Sequence, residues 1–213
     1  MKLIKIPSKH LRYMESKGFI EIDPYTHKNP LVRWLFWKRL GTMLRLSKQS
    51  KRVLDFGAGS GIFMPTLSRS FPEVHSFDLN TDSLEYVKKI YGLSNVKITR
   101  GDKSKNKIPY EDNFFDVIFA ADVLEHFKDS SNIQKEFKRI IRKGGYLIVS
   151  GPTENRMYAL ARKFLYMREK PVDHYTDIQD VMKKSSKLFK IEKIKILPFC
   201  FIPGFRVYRA KKI

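Results

Sequence analysis

VLDFGAGSG, residues 53–61, carries an apolar run into three glycines at every second position. The run reads as a buried strand over 51–56. The glycines read as a tight turn into a helix over 60–71, where Pro65 is tolerated in the first turn. Glycine turns after a strand commonly hold a nucleotide, but Gly57-x-Gly59-x-Gly61 is not the dinucleotide spacing G-x-G-x-x-G. It also lacks the Lys-[Ser/Thr] ending of a phosphate loop. Charge decides the matter better than spacing. A phosphate wants lysine, arginine and bare N–H groups. Here the strands end in carboxylates: Asp55 after the first, Asp78 after the second and Asp102 after the third. Repulsion would cost a phosphorylated ligand several kcal/mol, as an order of magnitude, in a poorly solvated site. The cluster suits a ligand bearing ammonium, sulfonium, hydroxyl and amino groups.

Outward from this turn, strands alternate with helices. EVHSFDLN (73–80), NVKITRGD (95–102), FFDVIFAADVL (114–124) and YLIVSGP (146–152) read as strands. Helices are predicted over 81–91, with Thr81 as cap, and over 131–141, closed by Gly144 and Gly145. Apolar strands without period-2 polarity predict a parallel sheet covered on both faces. After Pro152 the rhythm changes: helices over 154–168 and 176–186, then a hairpin of 188–197 and 205–212 joined by PFCFIPG. Near the N-terminus, 31–46 reads as a helix with Val32, Phe36, Leu40 and Met43 on one face, flanked by Trp37 and Leu44. Lys38, Thr42 and Arg45 are expected opposite. The expected division is an N-terminal helical cap, 1–50, and one α/β domain, 51–213, with a helical insertion over 153–187 covering the acceptor site.

VLDFGAGSG, FDLN, GD, PYEDNFFDVIFAADVLEHF and RKGGYLIVSGP, in that order over 51–152, resemble a class I S-adenosylmethionine-dependent methyltransferase of the broad quinone- and sterol-biosynthesis group (type 11). The resemblance implies a Rossmann-like, doubly wound sheet of seven strands, order 3-2-1-4-5-7-6, the last antiparallel. It implies S-adenosyl-L-methionine as cofactor. Asp55 and the backbone of Gly57, Ala58 and Gly59 would hold its methionine end. Asp78, with Leu79 beside it, would accept the ribose hydroxyls, Asp102 and Lys103 would edge the adenine, and Asp122 would lie near the transferred methyl.

Methyl transfer from a sulfonium is an in-line displacement, so a protein mainly positions the nucleophile and excludes water. If the acceptor must lose a proton, a general base helps by ~10²–10⁴-fold. His126 in VLEHF is the first candidate and His174, with Tyr175, the second. Glu125 is placed to orient His126 or its loop. No metal ligand set is assigned, and the single cysteine, Cys200, excludes an internal disulfide and a cysteine-based zinc site.

The formal net charge of +20 is unevenly spread. Residues 1–52 hold 13 Lys/Arg against 3 Asp/Glu and residues 151–213 hold 15 against 6, while 53–101 hold 5 of each. A neutral core with basic ends predicts an anionic partner. Three readings follow: a small or lipid-like acceptor worked at an anionic membrane, an RNA substrate, or a cofactor-binding fold without catalysis. Trp34, Trp37, the aromatics of KFLYM and the hairpin tip fit the first. The second lacks the Asn/Asp-Pro-Pro-[Tyr/Phe] motif after the fourth strand, where ADVL stands, and the paired cysteines of cytosine-5 enzymes. The third leaves intact cofactor motifs unexplained. With no apolar leader in MKLIKIPSKH, a cytoplasmic protein is expected, peripheral at a membrane in the first reading.

Overall fold

The computed structural model describes residues 2–18, 23–102, 107–153, 174–199 and 202–213. Its strands are β1 (Arg52–Phe56), β2 (Glu73–Asp78), β3 (Val96–Arg100), β4 (Phe115–Ala121), β5 (Ile141–Pro152), β6 (Lys190–Phe199) and β7 (Ile202–Lys211). They form one seven-stranded sheet in the order β3-β2-β1-β4-β5-β7-β6. β1 to β5 run parallel, and β7 lies antiparallel between β5 and β6. This is the expected doubly wound arrangement.

The helices are α1 (Ser8–Ser16), α2 (Asp23–Thr26), α3 (Pro30–Leu46), α4 (Met64–Ser70), α5 (Asp82–Tyr91), α6 (Ser131–Ile140) and α7 (Ile178–Ser186). Successive strand residues feed opposite faces. Val53, Val74 and Val117 pack with α3, α4 and α5 through Met43, Met64 and Leu84. Leu54, Ile118 and Leu147 pack with α6 and α7 through Phe137 and Val181. Both faces are thus apolar, which is why the strands show no polar alternation.

Several element ends differ from expectation. α4 begins at Met64, not 60, because Gly57, Gly59 and Gly61 all have positive φ (68°, 55° and 72°) and hold the chain in a turn. Thr81 stands at the α5 N-cap without a capping side-chain hydrogen bond; Asn80 Oδ1 accepts from the Asp82 N–H instead, at 3.1 Å. α6 passes directly into β5 at Ile141, so Gly144 and Gly145 lie within the strand rather than closing the helix. The final hairpin is longer than expected, with Phe199 still paired to Ile202. The helix expected over 154–168, KFLYM, Lys103 and Cys200 lie outside the described residues.

α3 needs the largest correction. Its expected apolar face is buried, but Thr42 and Arg39 are buried as well. Thr42 Oγ1 donates to the Lys38 carbonyl and accepts from Arg45, at 2.8 Å each, so its hydroxyl is satisfied within the helix. The helix is covered on more than one side: Phe36 meets Phe205 of β7 edge-on at 5.1 Å, and Tyr25 of α2 meets Trp37 at 5.0 Å. Trp37 is 6% exposed and Trp34 43%, so only Trp34 remains available for a surface role.

Candidate functional site

β1 and β2 end side by side, Asp55 opposite Ser76 and Phe56 opposite Phe77, and the glycine turn crosses between them. Four amide hydrogens of this turn are taken up within the protein. Gly57 N–H and Ala58 N–H donate to the Phe77 carbonyl at 2.8 and 3.2 Å, Gly59 N–H to Asp78 Oδ2 at 2.7 Å, and Gly61 N–H to the Ala58 carbonyl at 2.9 Å. A phosphate-binding turn does the reverse and offers these groups to its ligand. With these four donors engaged, the turn is poorly equipped to cradle a phosphate. A Cβ at Gly57 would run into Val123, which leads from β4 into the next loop, and one at Gly61 would crowd Met64 Sδ at 3.0 Å and Leu84 at 3.2 Å. Gly57 therefore lets the β1 turn approach the β4 loop, while Gly61 seats α4 and α5.

Asp55 is 2% exposed, and its Oδ2 accepts no hydrogen bond from any described residue. Burial, helped by the neighbouring Asp78 charge, pushes its carboxyl up to about 7. An orphaned, buried acceptor beside a second carboxylate fits a cationic partner. Asp78 is anchored at both oxygens, by Gly59 N–H and by Asn80 N–H at 3.1 Å. The Gly101 N–H donates to the Asp78 carbonyl at 2.7 Å, drawing the end of β3 and Asp102 toward Asp78. Gly101 is required here, since a Cβ would press on the Phe77 ring at 2.8 Å. Leu79 is exposed beside Asp78, as a residue covering a ring system would be.

Asp122 follows β4 with a left-handed φ of 50°, uncommon for any residue but glycine. Its N–H donates to the Ser150 carbonyl at 3.0 Å and its Oδ1 accepts from Ser150 Oγ at 3.1 Å. Its other oxygen is in an ion pair with Arg39 of α3. Arg39 also donates to the Tyr25 hydroxyl at 2.9 Å and lies over the rings of Phe36 and Phe205. Sequence reasoning missed both Arg39 and Tyr25. The available signal was an arginine between Phe36, Leu40 and Met43 in an otherwise apolar stretch. Tyr25 carries no comparable mark.

Beyond Asp122 the chain makes a 3-10 turn, Leu124–His126. The segment leading into α7 docks on it: the N–H groups of Tyr175 and Thr176 donate to the Glu125 carbonyl at 2.9 and 3.3 Å. Asp177 caps α7 by accepting from Gln179 and Asp180 N–H at 2.7 and 2.9 Å, fixing that approach. The two histidines singled out from sequence, separated by 48 positions, thereby meet with ring centroids 4.9 Å apart. Glu125 is buried beneath them, and one ligand atom from each of the three side chains lies within 4.8 Å of the others.

Residues 54–149 match the family model described as a methyltransferase domain. That stretch is a little under half of the chain, and the sheet order is the one of the class I methyltransferase fold. Among curated relatives, the ubiquinone biosynthesis O-methyltransferase of Proteus mirabilis is 29% identical over 154 residues, covering 71% of this chain and 60% of the relative. The demethylmenaquinone methyltransferase of Staphylococcus aureus is 32% identical over 128 residues, covering 55% and 52%. The chain thus spans little more than half the length of these relatives. The fold also matches the N-methyltransferase NodS of Bradyrhizobium japonicum in complex with S-adenosyl-L-homocysteine, with a TM-score of 0.68 at 16% identity, over 94% of this chain and 97% of that one.

Proposed function

We propose that this protein transfers a methyl group from S-adenosylmethionine to a small, lipid-like acceptor at an anionic membrane surface. One observation carries the reading: the amide hydrogens of Gly57, Ala58, Gly59 and Gly61 are spent inside the protein, beside buried or anchored carboxylates. Such a cradle rejects phosphate and accepts a cation. When bound, the cofactor supplies the methyl electrophile, and its sulfur leaves as a neutral thioether.

The chain's own groups then have separable tasks. Asp55 and the turn carbonyls bind the methionine end, and Asp78 takes the ribose hydroxyls in an orientation set by Gly59 and Asn80. Leu79 and Asp102 edge the base. Asp122, held by Arg39 and Ser150, borders the reacting end. His126 and His174 stand at the same rim, where an acceptor would lose its proton.

The acceptor class rests on the quinone-related relatives and on the surface of the chain. Leu31, Trp34 and Phe199 are exposed, and Lys38 Nζ lies over the Trp34 ring at 4.3 Å and the Phe199 ring at 5.6 Å. This places aromatic rings and a cation together, as at a membrane–water interface. Beside them opens a cleft of about 320 Å³ lined by Ile6, Tyr25, Arg33, Trp34 and Trp37. No helix among the described residues is long and apolar enough to cross a membrane. The test is incubation with labelled S-adenosylmethionine and cell extract, followed by separation into lipid, RNA and small-molecule fractions. Label in the lipid fraction is expected. Label confined to RNA would overturn the acceptor class, and none in any fraction would overturn the activity.

A further inference from the structure

We propose that the acceptor is an acidic amphiphile, an apolar body bearing a carboxylate or phosphate away from the methylated atom. Its acid end is seated in the cleft between the N-terminal segment and α3. The cleft holds about 320 Å³, at the lower end of small-ligand pockets. That is room for about ten carbon-sized groups at ~30 Å³ each. Ile6, Tyr25, Trp34 and Trp37 supply its apolar lining, and Lys5 and Arg33 its charge. No Asp or Glu lines it among the described residues.

A neutral lipid chain would need only the apolar walls. Two cations facing one cleft repel each other, and an anion between them removes that cost. Neither is in an ion pair with a carboxylate among the described residues. Arg33 Nη1 donates to the carbonyls of His27 and Lys28, which fixes the guanidinium and leaves its charge unbalanced. The two helices that begin at the cleft, α1 and α3, carry no acidic residue in their first turns, so neither offsets the positive charge.

The inference rests on the methyltransferase reading and deepens it by giving the acceptor a charge. Both walls of the cleft are tied to the proposed site. On one side, Ile4 N–H donates to Thr66 Oγ1 at 2.9 Å, and that hydroxyl donates back to the Ile4 carbonyl at 3.2 Å. The segment bearing Lys5 and Ile6 is thereby clipped to α4, the helix that follows the glycine turn. On the other side, Tyr25 accepts from Arg39 at 2.9 Å, and Arg39 pairs with Asp122. A ligand filling the cleft touches a residue two bonds of this chain away from the reacting end.

The chain's 2 tryptophans both line the cleft, so their emission reports its occupancy. Titration of the full chain with octanoate or octyl phosphate should give a saturable change, the tighter of the two naming the acid group. Octyltrimethylammonium, of the same chain length and opposite charge, should bind at least about tenfold more weakly. Lys5→Glu should weaken octanoate binding about threefold or more, as loss of an exposed ion pair does. Lys89→Glu, the same charge change on α5 and outside the cleft lining, should bind as wild type. Equal binding of the two octyl ions, or equal effects of the two substitutions, overturns the acid seat. The acceptor itself is tested by passing the methyl-labelled lipid fraction over an anion exchanger. Retained label that salt elutes is expected, and unretained label overturns the acidic acceptor while leaving methyl transfer intact. No label in any fraction would fell the methyltransferase reading instead, and the octanoate titration would still decide the cleft.

Discussion

Asp55 is the residue whose chemistry is most altered by the fold. In an unfolded chain its carboxyl titrates near 3.8, and burial beside Asp78 raises this to about 7. Between those limits the native state holds the extra proton, so the Asp55 contribution to stability declines as pH rises from about 4 to about 7. Above 7 the unliganded protein carries a buried charge at full cost, on the order of 4 kcal/mol for a rise of this size. Asp55→Asn should therefore raise the thermal midpoint at pH 8 and leave it little changed at pH 4.5. A uniform effect across that range would count against an ionisation that opposes folding. Cationic cofactor requires the charged form, so S-adenosylmethionine affinity should fall as pH drops below 7 and flatten in the variant. Glu73 shows the opposite case: hydrogen bonds from Arg52, His75 and Lys97 hold it down at about 2, at the end of the strand away from the site. The sequence made Asp55 and Asp78 conspicuous through their position after apolar runs. It did not reveal that Asp55 Oδ2 would find no donor among the described residues while Asp78 would be anchored twice, since that depends on how the glycine turn directs its amides.

α3 is the element that ties the N-terminal segment to the site. Arg39 crosses from it to Asp122, and Arg209 of β7 donates to the Leu46 carbonyl at the helix end, 3.0 Å, while pairing with Glu192 at 2.7 Å. Removing one member of a buried pair strands the other charge. Asp122 is partly exposed, so Arg39→Met should cost about 2 kcal/mol, below the range for a fully buried pair. Arg39→Met combined with Asp122→Asn should recover part of that loss in denaturant unfolding. Strictly additive costs would show that the two groups act independently. Periodicity located this helix within one residue of its observed start, because Val32, Phe36, Leu40 and Met43 repeat at helical spacing. It misplaced Thr42 and said nothing of Arg39, because a polar residue's burial is set by what packs over it. The strands were legible for a similar reason, as apolar runs of fitting length. Their ends were not, since caps and glycine turns shift boundaries by several residues.

For the molecule as a whole, the basic ends and the neutral middle of the sequence resolve into one arrangement. The neutral stretch supplies β1 to β3 and the cradle; the basic ends supply α3, β6 and β7. Trp34, Lys38, Phe199 and Leu31 are the surface through which the basic face meets lipid in the proposed function. Sedimentation with vesicles containing anionic phosphatidylglycerol should therefore carry the protein down at low salt, less so at high salt, and not with neutral phosphatidylcholine alone. Trp34→Ala should weaken this binding, whereas Trp37→Ala should destabilise the fold because that ring is buried. Equal binding by wild type and Trp34→Ala would remove this face from the account.

The sign of the cradle admits the most direct test. Calorimetry on the purified chain should give heat and a single site with S-adenosylhomocysteine, and none with ATP or NADH at the same concentration. Heat with either phosphorylated nucleotide, and none with S-adenosylhomocysteine, would contradict the account.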